Sequence, residues 1–83
     1  MTTNKKLKEY LHTLQKWQEK CWGEVEMSIF TYYEEEEDIL RLFAYVTDED
    51  RDIHTHLNTM NTKEENDEEM SHISDYLKEN HII

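Results

Sequence analysis

Glu34, Glu35, Glu36, Glu37 and Asp38 are five consecutive carboxylates set between two apolar, β-prone runs, Phe30-Thr31-Tyr32-Tyr33 and Ile39-Leu40. A buried element would have to desolvate five like charges at once, so this stretch has to be a solvated turn. Its flanks are then the arms of a hairpin. Before the turn, Val25, Met27 and Ile29 alternate with Glu24, Glu26 and Ser28, a period of two that predicts a strand over 24–33. After it, the aliphatic and aromatic run from Ile39 to Thr47 predicts a second strand, 39–47. Asp48-Glu49-Asp50-Arg51 makes another polar turn. Ile53, Thr55 and Leu57 then alternate with His54, His56 and Asn58, predicting a third strand over 52–59. Turns this short imply an antiparallel meander.

The period is helical on both sides of the meander. Leu7, Leu11, Leu14, Trp17 and Cys21 mark an amphipathic helix over 3–22, with Thr3 or Asn4 to cap its start and Gly23, the only glycine, placed to end it. Thr62 and Glu65 have capping-box spacing, and Met70, Ile73, Tyr76 and Leu77 give the apolar stripe of a second helix over 63–80. The expected fold is α+β, a single small domain over 1–83 with order α-β-β-β-α, both helices lying on one face of the sheet. A chain of 83 residues has room for one thin core.

A first turn that pairs Tyr33 with Ile39 would put Phe30, Tyr32, Leu40, Leu42, Ala44 and Val46 on the core face, joined by Ile53, Leu57 and small Ser28. The opposite face would then carry Val25, Met27, Ile29, Arg41, Phe43, Tyr45, His54 and His56. That set is too apolar for plain solvent surface and suits a partner or a second copy of the chain. A slip of one residue in either hairpin would exchange the faces.

The charge is distributed unevenly. Lys5, Lys6, Lys8, Lys16 and Lys20 against Glu9 and Glu19 give the first helix +3, residues 23–61 carry −9 and residues 62–83 carry −5, for a net −11. A balance this acidic repels nucleic acid and anionic membranes and favours basic protein partners. In a meander the first turn and the start of the second helix share one end of the sheet. Glu34, Glu35, Glu36, Glu37 and Asp38 should therefore gather with Glu64, Glu65, Asp67, Glu68 and Glu69, with Lys5, Lys6 and Lys8 starting nearby. Acids near a helix N-terminus complement its dipole, which accounts for the second run but not the first. Helical carboxylates three and four apart lie about 5–6 Å from each other. DNA carries a charge every ~1.7 Å of axis, so a rigid carboxylate array of this kind could fill a site built for phosphates.

Little in the chain points to catalysis. One glycine rules out phosphate-binding loops and Gly-x-Ser-x-Gly elbows, and the EF-hand pattern is absent. Asp52, His54 and His56 share one side of a strand, a spacing open to metal ligands, although the imidazoles of a His-x-His on a strand more often simply face water. Cys21 beside Trp22 reads as core filler, and Trp17 and Trp22 as core or edge aromatics. A lone cysteine and the lack of a signal-like or membrane-spanning run fit a reducing, cytoplasmic setting. We expect no enzyme activity, no metal and no cofactor.

A very small acidic α-β-β-β-α domain with carboxylate runs at Glu34 to Asp38 and Glu64 to Glu69 resembles phage-encoded inhibitors of host defence, among them anti-CRISPR proteins and related DNA mimics. The resemblance implies a stoichiometric inhibitor whose ten carboxylates occupy a basic nucleic-acid-binding site, for instance where a Cas nuclease reads its protospacer-adjacent motif. The other reading is a protein-interaction module, such as an immunity protein, antitoxin or small dimeric adaptor, binding through Met27, Ile29, Phe43, Tyr45, His54 and His56.

Overall fold

A computed structural model describes residues 2–83, with side chains from Leu7 onward. The order is α1 (Thr2–Cys21), β1 (Glu26–Glu34), β2 (Ile39–Thr47), β3 (Asp52–Asn58) and α2 (Lys63–Glu79). The strands form one antiparallel sheet in the order β1-β2-β3. Both helices pack on the same face, α1 over β1 and β2 and α2 against β3. This is the expected α-β-β-β-α arrangement.

Gly23 ends α1 in the left-handed region (φ 83°), where Glu24 and Val25 both donate to the Cys21 carbonyl. That turn delays β1 to Glu26. Thr3 and Asn4, expected as caps, lie within α1, which already begins at Thr2, and their side chains are outside the described residues. At α2 the capping box forms as expected: Glu65 N–H donates to Thr62 Oγ1 at 3.2 Å, and Thr62 N–H donates to Glu65 Oε1 at 2.9 Å. The helix stops at Glu79, with His81 left-handed and Ile82 N–H returning to the Leu77 carbonyl.

The core joins Leu7, Leu14 and Cys21 of α1 to Met27, Leu42, Ala44, Val46 and Leu57 of the sheet and to Met70, Ile73, Tyr76 and Leu77 of α2. Burying each larger side chain stabilises the fold by about 1.5–3 kcal/mol. Burial also raises the Cys21 thiol pKa, as suits a packing residue. Trp17 lies half-buried against this core, whereas Trp22 is exposed.

The first hairpin differs from the expectation by one residue. Glu34, not Tyr33, pairs with Ile39, so Tyr33 faces Leu40 and Met27 faces Val46. Two interactions explain the slip. Asp38 takes the left-handed conformation (φ 55°) that closes a turn of only four residues. Glu34 stays in β1, where its carboxylate lies 3.2 Å from Arg41 Nη2. Because side chains alternate along a strand, the slip turns all of β1 over. Met27 and Ile29, expected on the open face, pack into the core, while Phe30, Tyr32 and Ser28 move to the open face. The second hairpin has the expected register, Thr47 opposite Asp52.

Candidate binding surfaces: the acidic end and the open sheet face

Chain direction brings the two acidic runs to one end. Thr59 N–H donates to the Leu40 carbonyl at 3.1 Å, and Leu40 N–H donates to Thr59 Oγ1 at 3.1 Å. The start of β2 is thereby tied to the segment leading into α2. Both helices run away from this end, and Tyr10 Oη joins them by donating to Asp67 Oδ1 at 2.8 Å.

The ten carboxylates are not equivalent. Glu34 is held by Arg41, and Asp38 accepts a hydrogen bond from Tyr33 Oη, which raises the Tyr33 pKa. Glu65 is committed to the capping box. Asp67 lies between Tyr10 and Lys63 Nζ, 2.7 Å away. Those two hydrogen bonds, that of Lys63 foremost, lower its pKa. Tyr10 is pushed up to about 12, first by burial and then by Asp67. Glu69 Oε1 accepts from the His56 backbone N–H at 2.9 Å. Among the described side chains none bonds the carboxylates of Glu35, Glu36, Glu37, Glu64 or Glu68. Lys8 is exposed on α1, and the side chains of Lys5 and Lys6 lie outside the described residues.

The open face carries an aromatic cluster crossed by a polar chain. Phe30 meets Tyr45 edge to face at 5.9 Å, Tyr45 meets His54 at 6.2 Å, and Phe43 stacks on His56 at 4.4 Å. Phe30 and Tyr32 are each 57% exposed. Arg41 reaches across all three strands, to Glu34 in β1 and, through Nη1, to His56 Nε2 at 3.3 Å. A guanidinium only donates, so that ring nitrogen accepts and the imidazole is neutral. Burial foremost, and then Arg41, lowers the His56 pKa, with Glu69 opposing.

Phe43, Tyr45, His54 and His56 therefore lie on the open face as expected, and Met27 and Ile29 do not. Phe30 and Tyr32 take their place. The signal that would have found them was Asp38, a residue type suited to the left-handed closing position of a four-residue turn. Asp52 shares the face with His54 and His56, yet among the described residues no group of three or more His, Cys, Asp or Glu side chains is arranged to hold a metal ion. Among the same residues no helix is long and apolar enough to cross a membrane. No protein family, curated protein or solved structure matches the chain.

Proposed function

We propose that this chain is a non-catalytic, cytoplasmic inhibitor that places its acidic end in the basic nucleic-acid-binding site of a partner protein, a defence nuclease of the CRISPR type being one such target. The observation that carries the reading is the mounting of the tip. Glu35, Glu36 and Glu37 project from a hairpin whose base is clamped by the Glu34–Arg41 ion pair and the Tyr33–Asp38 hydrogen bond. A charge array held rigidly needs less ordering on binding than one on a floppy loop. Glu64 and Glu68 extend the surface from α2 at the same end of the sheet. The carboxylates with internal partners set the shape, and the five that bond no described side chain are the groups offered to the partner.

The open aromatic face supports a second reading, a protein-interaction module of the immunity-protein or antitoxin kind. Phe30, Tyr32 and Tyr45 are large aromatics left in solvent, the residue type that anchors protein interfaces.

One experiment separates the two. The protein is immobilised in host lysate at low salt beside Glu35→Lys plus Glu36→Lys and beside Tyr45→Glu. The acidic reading expects a nucleic-acid-binding protein that elutes with added duplex DNA or salt and is lost from the double-lysine variant. A partner kept by the double-lysine variant, indifferent to DNA and lost from Tyr45→Glu overturns it in favour of the open face.

A further inference from the structure

The sheet has two outer edges, and among the described residues only one is closed. Leu40 turns both its backbone groups toward Thr59. In an antiparallel ladder successive residues point their N–H and C=O alternately to one side and the other. Tyr33, opposite Leu40, therefore turns its own groups away from β2, and so do Thr31, Ile29 and Met27. Gln18 Nε2 donates to the outward Met27 carbonyl at 2.8 Å, in agreement with this parity. No described residue meets the outward N–H or C=O of Ile29, Thr31 or Tyr33, two groups on each of three residues. On β3, by contrast, the outward N–H of His56 goes to Glu69 and that of Asn58 to Asn66.

An exposed edge is ordinarily guarded by charge, proline or a bulge. From Met27 to Tyr33 β1 has neither charge nor proline, and its register with β2 runs without a bulge. We propose that this edge pairs with β1 of a second copy, antiparallel about a two-fold axis at Thr31, to give a continuous six-stranded sheet.

The strand selects its own copy as occupant. Ile29, Thr31 and Tyr33 are symmetric about Thr31, so an axis there pairs Ile29 with Tyr33 of the second copy and Thr31 with its equivalent. Every outward group of Ile29, Thr31 and Tyr33 is then used. The same axis sets Phe30 against Tyr32 of the second copy on the open face and Ser28 against Glu34. An axis at Phe30 would oppose Glu26 to Glu34 within the paired strands, a like-charge pair that destabilises, whereas the axis at Thr31 brings Glu26 only against Glu36 of the turn, beyond the end of β1. Phe30, Tyr32 and Tyr33 are about half exposed. At roughly 150–250 Å² per fully buried aromatic, and with the strand backbone included, the interface is on the order of 1,000 Å² in all. That is the size of a reversible contact, so the dimer is concentration-dependent. Because two chains of −11 meet, salt strengthens it, the opposite of its effect on binding through the acidic end.

Sedimentation equilibrium of the whole chain tests this. The mass should rise with concentration from 10.2 kDa toward twice that value, more readily at high salt. Thr31→Pro deletes an outward N–H that bonds no described residue, so it should remain at one chain mass with an unchanged circular dichroism spectrum. Thr31→Cys places two thiols on a Cα–Cα separation of about 5.5 Å and should cross-link under mild oxidation. In Ser28→Cys the same pair is roughly 20 Å apart and should not cross-link. Buried Cys21 does not compete. A chain that stays at one mass at every concentration and salt, with no Thr31→Cys cross-link, overturns the proposal and leaves the edge to a strand of another protein. A dimer untouched by Thr31→Pro overturns it in favour of another surface.

Discussion

The outer edges of β1 and β3 are the same kind of backbone managed in two ways. At β3, α2 supplies side chains that act as a fourth strand would. Asn66 accepts from Asn58 N–H at 3.4 Å and donates to the Asn58 carbonyl at 3.2 Å. Glu69 accepts from His56 N–H, and Thr55 Oγ1 donates to the Glu69 carbonyl. Asn66 also accepts from Asn61 Nδ2 at 3.0 Å and is fully buried, so a polar residue sits in the core with its bonding capacity used. At β1, among the described side chains, the neighbouring helix supplies only Gln18, to one carbonyl. A polar residue on a helix can finish a sheet edge as effectively as another strand, and where none is supplied the edge remains available.

The largest effect is expected from opening the closed edge. Asn66→Leu removes both bonds to Asn58 and the acceptor for Asn61, leaving buried backbone groups unpaired, at a cost of about 3 kcal/mol. Urea denaturation measures that loss. Native-state amide exchange locates it: in the wild type the His56 and Asn58 amides should be protected and those of Ile29 and Thr31 fast in dilute solution. In Asn66→Leu the Asn58 amide should join the fast set. An Asn58 amide that stays protected would show that Asn66 is not what closes the edge.

The two edges were not equally legible in the sequence. The element order, the α2 capping box, the Gly23 stop and the gathering of both acidic runs at one end all follow from periodicity and chain direction, which are local properties. The faces of β2 and β3 follow as well, because their connecting turn is short and symmetric. The face of β1 does not, since it depends on whether Glu34 belongs to the turn or to the strand. Four glutamates in a row conceal that choice, with Asp38 the one hint, and it is made by tertiary partners, Arg41 for Glu34 and Tyr33 for Asp38. For the same reason the sequence shows ten acids but not which five have partners among the described residues. The closure of β3 by Asn66 was also hidden, because an asparagine in the first turns of a charged helix carries no mark of burial.

A smaller effect tests the orientation of the open-edge strand. Met27 is 6% exposed and packs in the core, whereas Phe30 is 57% exposed. Met27→Ala should cost about 2 kcal/mol, the low end for a buried methionine. Phe30→Ala removes a larger side chain yet should cost under about 1 kcal/mol in dilute solution, since what it gives up is mostly its contact with Tyr45. The ranking of the two urea midpoints decides the register, because the reverse order is what a Tyr33–Ile39 pairing requires.

The smallest effect returns to the closed edge, where His56 contributes its backbone to Glu69 and its ring to Arg41. Burial and the Arg41 charge hold its folded-state pKa below the ordinary 6.5, against the opposing pull of Glu69. The unfolded chain therefore binds a proton at this site more readily than the folded one between those two values. Stability rises with pH wherever the unfolded state holds more protons. The contribution of neutral His56 is thus complete above pH 6.5 and is lost as pH falls from there to the folded-state value. The comparison to make is the slope of the urea midpoint against pH in the wild type and in His56→Gln, both of which retain His72 at 3.9 Å from Glu69. The wild type should lose more stability on acidification through this window. Equal slopes, or a steeper one in the variant, would mean that Glu69 governs His56 more strongly than burial and Arg41 do. The closed edge would then tighten, not loosen, when the ring takes up its proton.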